Sequence, residues 1–372
     1  MRGGEKVLEV LCEIFPDADL YTIIHIPGSV SAIIEKRNIK TSFIQRLPGA
    51  KKRYRSFLPL FPMAIEGFNL SGYDLVISSS HCVAKGVIPP PRAAHIAYIH
   101  TPMRYVWDKY YDYFGPGRSE GLKGRAISLF SHYLRMWDVT SSVRVDHFIS
   151  NSAHVAKRVE KFYRRESSVI YPPVDCGRFK IKSETPGDYY LVVSAFAPYK
   201  RIDTAINAFN QLGLNLKVIG TGQDEKKLKK MAAANIEFLG WKSDAELAGY
   251  YADCRALIFT GEEDFGIVPL EAAATGRAVI AFARGGALET VIPIGEEGRE
   301  PTGVFFYEQT PESLMGAIKA FEDNIDSFKA DAIRKHALAF DRPVFKEKLR
   351  EHIFSKYQEL NPAASRGKFS KC

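Results

Sequence analysis

The stretch that decides the fold is residues 259–291, FTGEEDFGIVPLEAAATGRAVIAFARGGALETV. Its first residue ends a short apolar run, and a polar loop with three carboxylates then leads to Gly266. The apolar segment that begins at Ile267 predicts a helix, and the Thr275-Gly276 pair is a typical helix end. A second apolar run follows at once. This succession predicts two parallel strands joined by a helix.

The same alternation continues in both directions along the 372 residues. The candidate strands are residues 20–24, 75–78, 95–99 and 147–150 in the first half, and 190–194, 216–220, 236–239, 256–259 and 278–281 in the second. Short apolar runs that alternate with helical stretches are typical of parallel sheets covered by helices. We therefore predict an α/β fold with two doubly wound, Rossmann-like domains.

Pro172 and Pro173 mark the expected domain boundary, because proline excludes both a helix interior and a central strand. We expect an N-terminal domain of residues 1–170 and a C-terminal domain of residues 171–342. Residues 311–360 are predicted to be helical, with a break at Arg342-Pro343. We expect the segment 343–372 to pack back on the first domain.

The beginning of the chain departs from this pattern. Residues 2–6 are followed directly by an amphipathic helix at residues 7–15, whereas a doubly wound domain normally opens with a buried strand. The first strand of the N-terminal domain is therefore missing from the pattern. Either the native start lies upstream of Met1 or the first domain is incomplete.

Composition limits the class of protein. The net charge of +8 favours an anionic partner, such as nucleic acid, a phosphate-bearing small molecule or an acidic lipid surface. The five cysteines show no paired spacing, which favours a location in a reducing cytoplasm. No run of apolar residues approaches the ~20 residues that a membrane-spanning helix needs. Nucleic acid is disfavoured because the cations gather in one N-terminal segment and no nucleic-acid-binding module is recognised.

Two glutamates and a glycine give residues 259–291 their chemistry. Gly266 allows close approach to a ligand, and the amides at the predicted helix start form an anion site suited to a diphosphate. Glu263 lies on the loop and Glu271 about one turn into the helix, so both carboxylates can accept hydrogen bonds from sugar hydroxyls. The alternative is that both glutamates only favour the positive end of the helix.

The Glu263-x7-Glu271 spacing resembles the signature of family 4 retaining glycosyltransferases, which have the GT-B fold of two Rossmann-like domains facing each other across a cleft. The resemblance implies that Glu263 contacts the donor sugar, that Glu271 contacts the nucleotide ribose, and that no catalytic metal is needed. It extends from Gly3 to about Leu349. Within the family, the sequence most resembles mannosyltransferases that build O-antigen-type polysaccharides. This resemblance implies GDP-mannose as donor and a glycan or polyprenyl-linked acceptor.

Further donor-side residues follow from the resemblance. Lys200 and Arg201 resemble the family's basic diphosphate clamp, although Ala195 stands where many relatives carry an additional arginine; a solvated basic turn is the alternative. The remaining candidates on this side are Gly220 and Gly222 of a glycine-rich turn, Trp241 near the nucleobase, and Phe265, Ile267 and Val268 around the helix start. For Trp241 a core-packing role is the alternative.

In the first domain, His100 follows the strand at residues 95–99, at the edge where open α/β sheets bind ligands. The resemblance assigns His100 to the donor sugar, so the predicted catalytic residues are His100, Glu263 and Lys200. It assigns Gly3 and Gly4 to a loop near the diphosphate. The acceptor-side candidates are Glu5, His81, Arg104 and Tyr105, with Trp107 and Asp108 continuing the motif.

Residues 37–63 interleave seven cations with aromatic and aliphatic residues, a pattern suited to an anionic membrane surface. A basic rim around a buried aromatic patch is the alternative. We therefore expect a cytoplasmic protein with peripheral attachment to the inner face of the cell membrane. Other functions remain open: a nucleotide-sugar epimerase, a glycogen-synthase-like transferase, and a protein that binds nucleotide sugars with little turnover.

Overall fold

The computed structural model describes residues 3–108, 110–114 and 121–362. The chain divides into two compact units, one of Met1–Pro172 with Phe345–Cys372 and the other of Pro173–Val344. The division falls between two prolines whose fixed φ angles suit an extended connection. Each unit contains a parallel sheet with helices around it, which confirms the α/β fold class with two Rossmann-like sheets.

The first unit contains a four-stranded parallel sheet in the order β3-β4-β5-β6 and a separate parallel pair, β1-β2. Its strands are β1 (Leu20–Thr22), β2 (Ile39–Thr41), β3 (Leu75–Ser80), β4 (Ala94–Ile99), β5 (His147–Ser150) and β6 (Ser168–Val169). Its helices before the division are α1 (Gly3–Ile14), α2 (Ala32–Glu35), α3 (Ala50–Arg53), α4 (Phe61–Glu66), α5 (Tyr110–Phe114), α6 (Gly121–Ser142) and α7 (Ala153–Tyr163). Every residue of β4 is buried, as expected for a central strand.

The second unit has a six-stranded parallel sheet in the order β12-β11-β10-β7-β8-β9. Its strands are β7 (Tyr190–Val193), β8 (Leu216–Ile219), β9 (Ile236–Gly240), β10 (Leu257–Phe259), β11 (Val279–Phe282) and β12 (Gly303–Phe306). Its helices are α8 (Ile202–Leu212), α9 (Glu225–Met231), α10 (Asp244–Asp253), α11 (Ile267–Ala274), α12 (Ala287–Thr290), α13 (Pro311–Asp323) and α14 (Ala330–Leu338).

A last helix, α15 (Arg342–Leu360), carries the chain back to the first unit. Its buried residues Phe345, Leu349 and Ile353 recur every four positions, so they share one face of the helix. This face packs into a cluster formed by α1, β3, β4 and β5. The core of the first unit therefore depends on residues from both ends of the chain.

Several sequence predictions need correction. The strand predicted at residues 20–24 ends at Thr22, because the Ser42 hydroxyl donates to the carbonyl oxygen of Ile23 at 2.9 Å and so replaces the next strand contact. Gly3 and Gly4 lie in the first turn of α1, not in a loop. Three strands, β2, β6 and β12, were not predicted, since each has only two to four residues and the pattern around it is not distinctive. The helical stretch at 311–360 has a further break after α13.

None of the helices in the described ranges combines the length and the apolar character that a bilayer-spanning helix needs.

Candidate active site

The topology of the second sheet selects one edge for ligand binding. Strands β7 and β10 are neighbours, and the strand order runs away from them in opposite directions. In open parallel sheets, ligands bind beyond the carboxyl ends of the strands at such a switch point. The loops that leave β7 (residues 194–201) and β10 (residues 260–266) both start there. These are the loops that carry Lys200 and Glu263.

Lys200 and Glu263 form an ion pair between Nζ and Oε1. Only 13% of the lysine side chain and 24% of the glutamate side chain are exposed, so the pair is partly withdrawn from water. Thr260 joins the same two loops, because its hydroxyl donates to the carbonyl oxygen of Lys200 at 2.8 Å. The structure therefore brings together two of the three predicted catalytic residues.

Arg201 has a different environment from Lys200. Its guanidinium donates to Asp203 Oδ1 at 3.2 Å, to Thr204 Oγ1 at 3.2 Å and to the carbonyl oxygen of Gln309 at 3.3 Å. Its φ of 51° is in the left-handed region, which non-glycine residues seldom adopt. These contacts hold the end of the Lys200 loop against the start of α8.

The glycine-rich turn after β8 packs on the backbone of the Lys200 loop. A Cβ at Gly220 would lie 1.8 Å from the carbonyl oxygen of Ser194, and one at Gly222 would lie 2.4 Å from that of Phe196. No side chain is compatible with either distance. The two glycines therefore set the position of the loop that carries Lys200.

The helix α11 begins at Ile267, close to which the sequence predicts a helix start, and Gly266 precedes it with a φ of 84°. The Phe265 ring is 3% exposed and faces Phe340 at 6.0 Å between ring centroids, so the side chain of Phe265 belongs to the core. Val268 and Ile267 are half-buried. Any ligand contact made by Phe265 therefore comes from its backbone, consistent with an anion site made of amides.

A second glycine pair supports the loop before α11 from behind. The amide of Gly286 donates to the carbonyl oxygen of Glu263 at 2.9 Å. A Cβ at Gly286 would lie 2.2 Å from the carbonyl oxygen of Phe265, and one at Gly285 would lie 2.2 Å from that of Glu263. The backbone that carries Glu263 is thus held by close contact with the turn after β11.

Glu271 accepts a hydrogen bond of 3.0 Å from the hydroxyl of Tyr251 on α10. Tyr251 is fully buried, and burial raises its pKa far above the usual value. The hydroxyl therefore stays protonated and donates at neutral pH, which restricts the orientation of the carboxylate. Sequence analysis missed Tyr251, since a tyrosine on the inner face of a helix carries no local mark of function.

Trp241 follows directly after β9 and is 74% exposed. This exposure excludes the core-packing alternative. An exposed indole next to the carboxyl end of a strand provides a flat surface on which a ring system can stack.

In the first unit, the carboxyl edge of the sheet brings together His100, Gly4 and Ser79. His100 follows β4, and its Nε2 lies 2.8 Å from Ser79 Oγ at the end of β3. A Cβ at Gly4 would lie 3.5 Å from the same Nε2. The first turn of α1, with Gly3, Gly4 and Glu5, therefore lies beside the imidazole.

The acceptor-side candidates differ in their surroundings. The Tyr105 hydroxyl lies 2.7 Å from Cys82 Sγ, and burial raises the pKa of Tyr105 above its usual value. Asp108 forms an ion pair of 2.6 Å with Arg158, and Trp107 donates to Asp138 at 2.8 Å. These three side chains hold the loop after β4. His81 is exposed and Arg104 is half-buried.

The segment 37–63 agrees partly with each of its two interpretations. Lys51, Lys52, Arg53 and Arg55 are exposed, as a membrane surface requires. The apolar residues Phe57, Leu58, Leu60 and Phe61 instead pack into the core of the first unit. The buried aromatic patch is therefore real, and the exposed part of the segment combines basic residues with Phe43, Tyr54 and Met63.

Within the ranges that the structure describes, no group of three or more His, Cys, Asp or Glu residues is arranged to hold a metal ion.

The two parallel Rossmann-like sheets place the protein in the GT-B class of α/β folds. Residues 1–178 match the family model described as Glycosyltransferase Family 4, and residues 177–337 match the one described as Glycosyl transferases group 1. Since the two models together span residues 1–337, the chain belongs to the group 1 and family 4 glycosyltransferases.

Two relatives are similar in sequence. An uncharacterized glycosyltransferase of Methanocaldococcus jannaschii is 31% identical over 170 residues, which are 44% of this chain and 47% of the relative. An alpha-1,3/1,6-mannosyltransferase of Candida glabrata is 22% identical over 255 residues, which are 53% of this chain and 56% of the relative. The chain thus spans about half the length of the curated relatives it matches.

Solved structures share the fold over nearly the whole chain. A sucrose-phosphate synthase of Thermosynechococcus elongatus superposes with a TM-score of 0.71 at 18% identity, covering 96% of this chain and 92% of that one. The Anabaena protein HepE, solved with UDP and glucose, superposes with a TM-score of 0.66 at 17% identity, covering 95% and 96%. At such identities the similarity shows the fold alone.

Proposed function

We propose that the protein transfers a hexose from a nucleotide-sugar donor to an acceptor with retention of configuration. The observation that carries the proposal is the Lys200–Glu263 ion pair at the switch point of the second sheet. Its two groups match the two ends of a nucleotide sugar, since the ammonium suits the diphosphate and the carboxylate suits the sugar hydroxyls. Family membership supports the same reaction class.

Lys200 and the amides at the start of α11 are proposed to stabilise the departing diphosphate. Charge develops on this group as the glycosidic bond breaks, and preorganised donors around it lower the barrier without a strong base. An oxygen of the diphosphate then accepts the acceptor's proton while the acceptor attacks from the same face. The glycines around Gly222 and Gly286 serve this step indirectly, because they set the backbone of both loops.

Donor recognition is proposed to depend on Glu263, Glu271 and Trp241. Glu263 leaves Lys200 to bind sugar hydroxyls once the diphosphate neutralises the lysine. Glu271 binds the ribose hydroxyls in the orientation that Tyr251 imposes, and Trp241 offers its exposed ring to the base. Arg201 supports Lys200 by holding the end of its loop.

The first unit is proposed to supply His100 to the donor sugar and His81 and Arg104 to the acceptor. His100 lies with Ser79 and Gly4 at the carboxyl edge of its sheet, as a ligand-binding residue would. Tyr105 is proposed to shape this region through its contact with Cys82.

We further propose mannose from GDP-mannose as the donor and a glycan or polyprenyl-linked glycan as the acceptor. The mannosyltransferase activity named for the Candida glabrata relative supports this choice. The UDP and glucose named for the Anabaena structure make UDP-glucose the main rival donor.

A thermal-shift panel of nucleotide sugars tests the donor. A ligand at 100 times its dissociation constant stabilises the protein by about 2.7 kcal/mol, which raises the melting temperature of a unit of this size by roughly 5–10 °C. We expect GDP-mannose to produce this shift and UDP-glucose to produce little. The reverse result would replace mannose by glucose, and no shift with any nucleotide sugar would refute the donor site.

Variants test the assigned residues in a transfer assay that detects the glycosylated product by mass spectrometry. We expect Lys200→Ala and Glu271→Ala to abolish transfer while the protein stays folded. The matched controls are Lys227→Ala and Glu312→Ala, which remove exposed side chains of the same kinds from the second unit. Full activity in either site variant contradicts its assignment.

A further inference from the structure

The helix α6 in the first unit exposes apolar side chains along one line. Leu129 is 73% exposed, Tyr133 43%, Met136 52%, and Val143, directly after the helix, 74%. At 3.6 residues per turn, positions 129, 133 and 136 span about 60° of the helix, so they form one narrow stripe. We call these four residues the apolar face of α6. Large apolar side chains in such a row mark an interaction surface more often than isolated ones do.

A neighbouring side of α6 is already used in the core. Leu134 and Trp137 are buried in the cluster that contains Phe61 and Ile65 of α4. The apolar face of α6 is therefore a second apolar stripe on the same helix, and among the residues that the structure describes its side chains are exposed.

The described exposed charges of α6 itself have one sign. Asp138 is the only carboxylate in α6, and it is fully buried in an ion pair with Lys85 of 3.0 Å. Arg125 lies one turn before Leu129 and is exposed. The exposed side of the helix therefore carries cationic and apolar residues and no carboxylate.

A neighbouring helix also exposes an apolar side chain. Glu66 at the end of α4 accepts hydrogen bonds from Trp137 at 2.8 Å and from Arg144 at 2.6 Å, so α4 lies alongside the last turns of α6. Met63, three residues earlier on α4, is 57% exposed. The exposed cations of residues 51–55 directly precede α4 and its flanking turn. Glu66 itself is neutralised by Arg144.

We infer that the apolar face of α6 inserts into the surface of an anionic lipid bilayer, with Arg125 and the cations of residues 51–55 at the headgroups. Apolar side chains on one line, flanked by cations and free of carboxylates, are the features of helices that lie in a membrane interface. A second copy of the chain fits less well, because its own cations would face those of the first across the contact. None of the four residues of this face is assigned to the donor or the acceptor, so this inference does not rest on the proposed reaction.

Co-sedimentation with lipid vesicles tests the inference without any donor. We expect the full-length protein to bind vesicles of phosphatidylcholine with phosphatidylglycerol, to bind pure phosphatidylcholine much more weakly, and to be released by salt. The double variant Leu129→Ser with Met136→Ser loses two inserted side chains, so we expect its partition coefficient to fall by about tenfold or more. The control Leu360→Ser removes an exposed leucine of the same unit and keeps wild-type binding.

A second measurement covers the case of a misfolded double variant. The variant Leu129→Trp adds one fluorescent indole to those of the wild type. We expect the emission of this added indole to shift to shorter wavelength on anionic vesicles, since the indole leaves water. Absence of vesicle binding by the wild type, unchanged binding by the double variant, or an unshifted emission overturns the inference. So does a dimer in sedimentation velocity that the double variant converts to a monomer without any vesicle binding, since a second copy then covers the face.

Discussion

The hydrogen bond from Tyr251 to Glu271 gives a prediction that separates recognition of the nucleotide from folding. In Tyr251→Phe the ring remains, with its edge-on contact to Phe179 at 5.8 Å, and only the hydroxyl is lost. The carboxylate of Glu271 then loses a donor that restricts its orientation. A hydrogen bond to a charged group contributes about 1.5–3 kcal/mol, so we expect the nucleoside diphosphate to bind roughly 10- to 150-fold more weakly.

Isothermal titration calorimetry with the nucleoside diphosphate measures this loss, and circular dichroism confirms that the variant is folded. The matched control is Tyr307→Phe, which removes the hydroxyl of a tyrosine that is 73% exposed. The single variant Glu271→Gln and the double variant of Tyr251→Phe with Glu271→Gln complete a double-mutant cycle. Because the two residues are in contact, we expect a coupling of about 0.5–3 kcal/mol. Unchanged nucleotide affinity in Tyr251→Phe, or additive effects in the cycle, would refute the positioning role.

Two further predictions concern the supporting structure. Gly286→Ala places a Cβ 2.2 Å from the backbone of the loop after β10, so we expect calorimetry to show weaker donor binding and lower stability. The control Gly316→Ala, whose Cβ would meet nothing within 4 Å, should leave both unchanged. Equal behaviour of the two variants would contradict the packing argument. Burial lowers the pKa of His95 from its usual 6.5 to about 4, so the unfolded chain binds the proton more readily. The free energy of unfolding should therefore fall as the pH drops from about 6.5 to about 4. Urea titrations check this, and a slope that His95→Gln does not reduce would exclude His95 as the cause.

Local patterns were sufficient for much of the fold. The start of α11 near Ile267 was predictable because a glycine precedes a mainly apolar segment, and both are features of a few neighbouring residues. The central strands were predictable because a strand buried on both faces is apolar throughout, as in β4. The end of β1 was not predictable, since it depends on a side-chain contact from Ser42, 19 residues from Ile23.

The candidate site divides in the same way. Lys200, Glu263 and Glu271 are candidates from spacing and residue type within one loop or one loop and the helix that follows it. Tyr251 is not, because its proposed role depends on a contact with a residue 20 positions away on another helix.

The sequence by itself determined the α/β class and the helix start after Gly266, and it indicated candidate residues for a diphosphate and for sugar hydroxyls, because periodicity and turn chemistry are encoded within a few residues. Only the tertiary structure decided that Lys200 pairs with Glu263, that Trp241 is exposed and that α6 presents an apolar face. Pairing and exposure depend on which strands and helices become neighbours. That choice is made by the packing of the whole unit, so no short stretch of the sequence contains it.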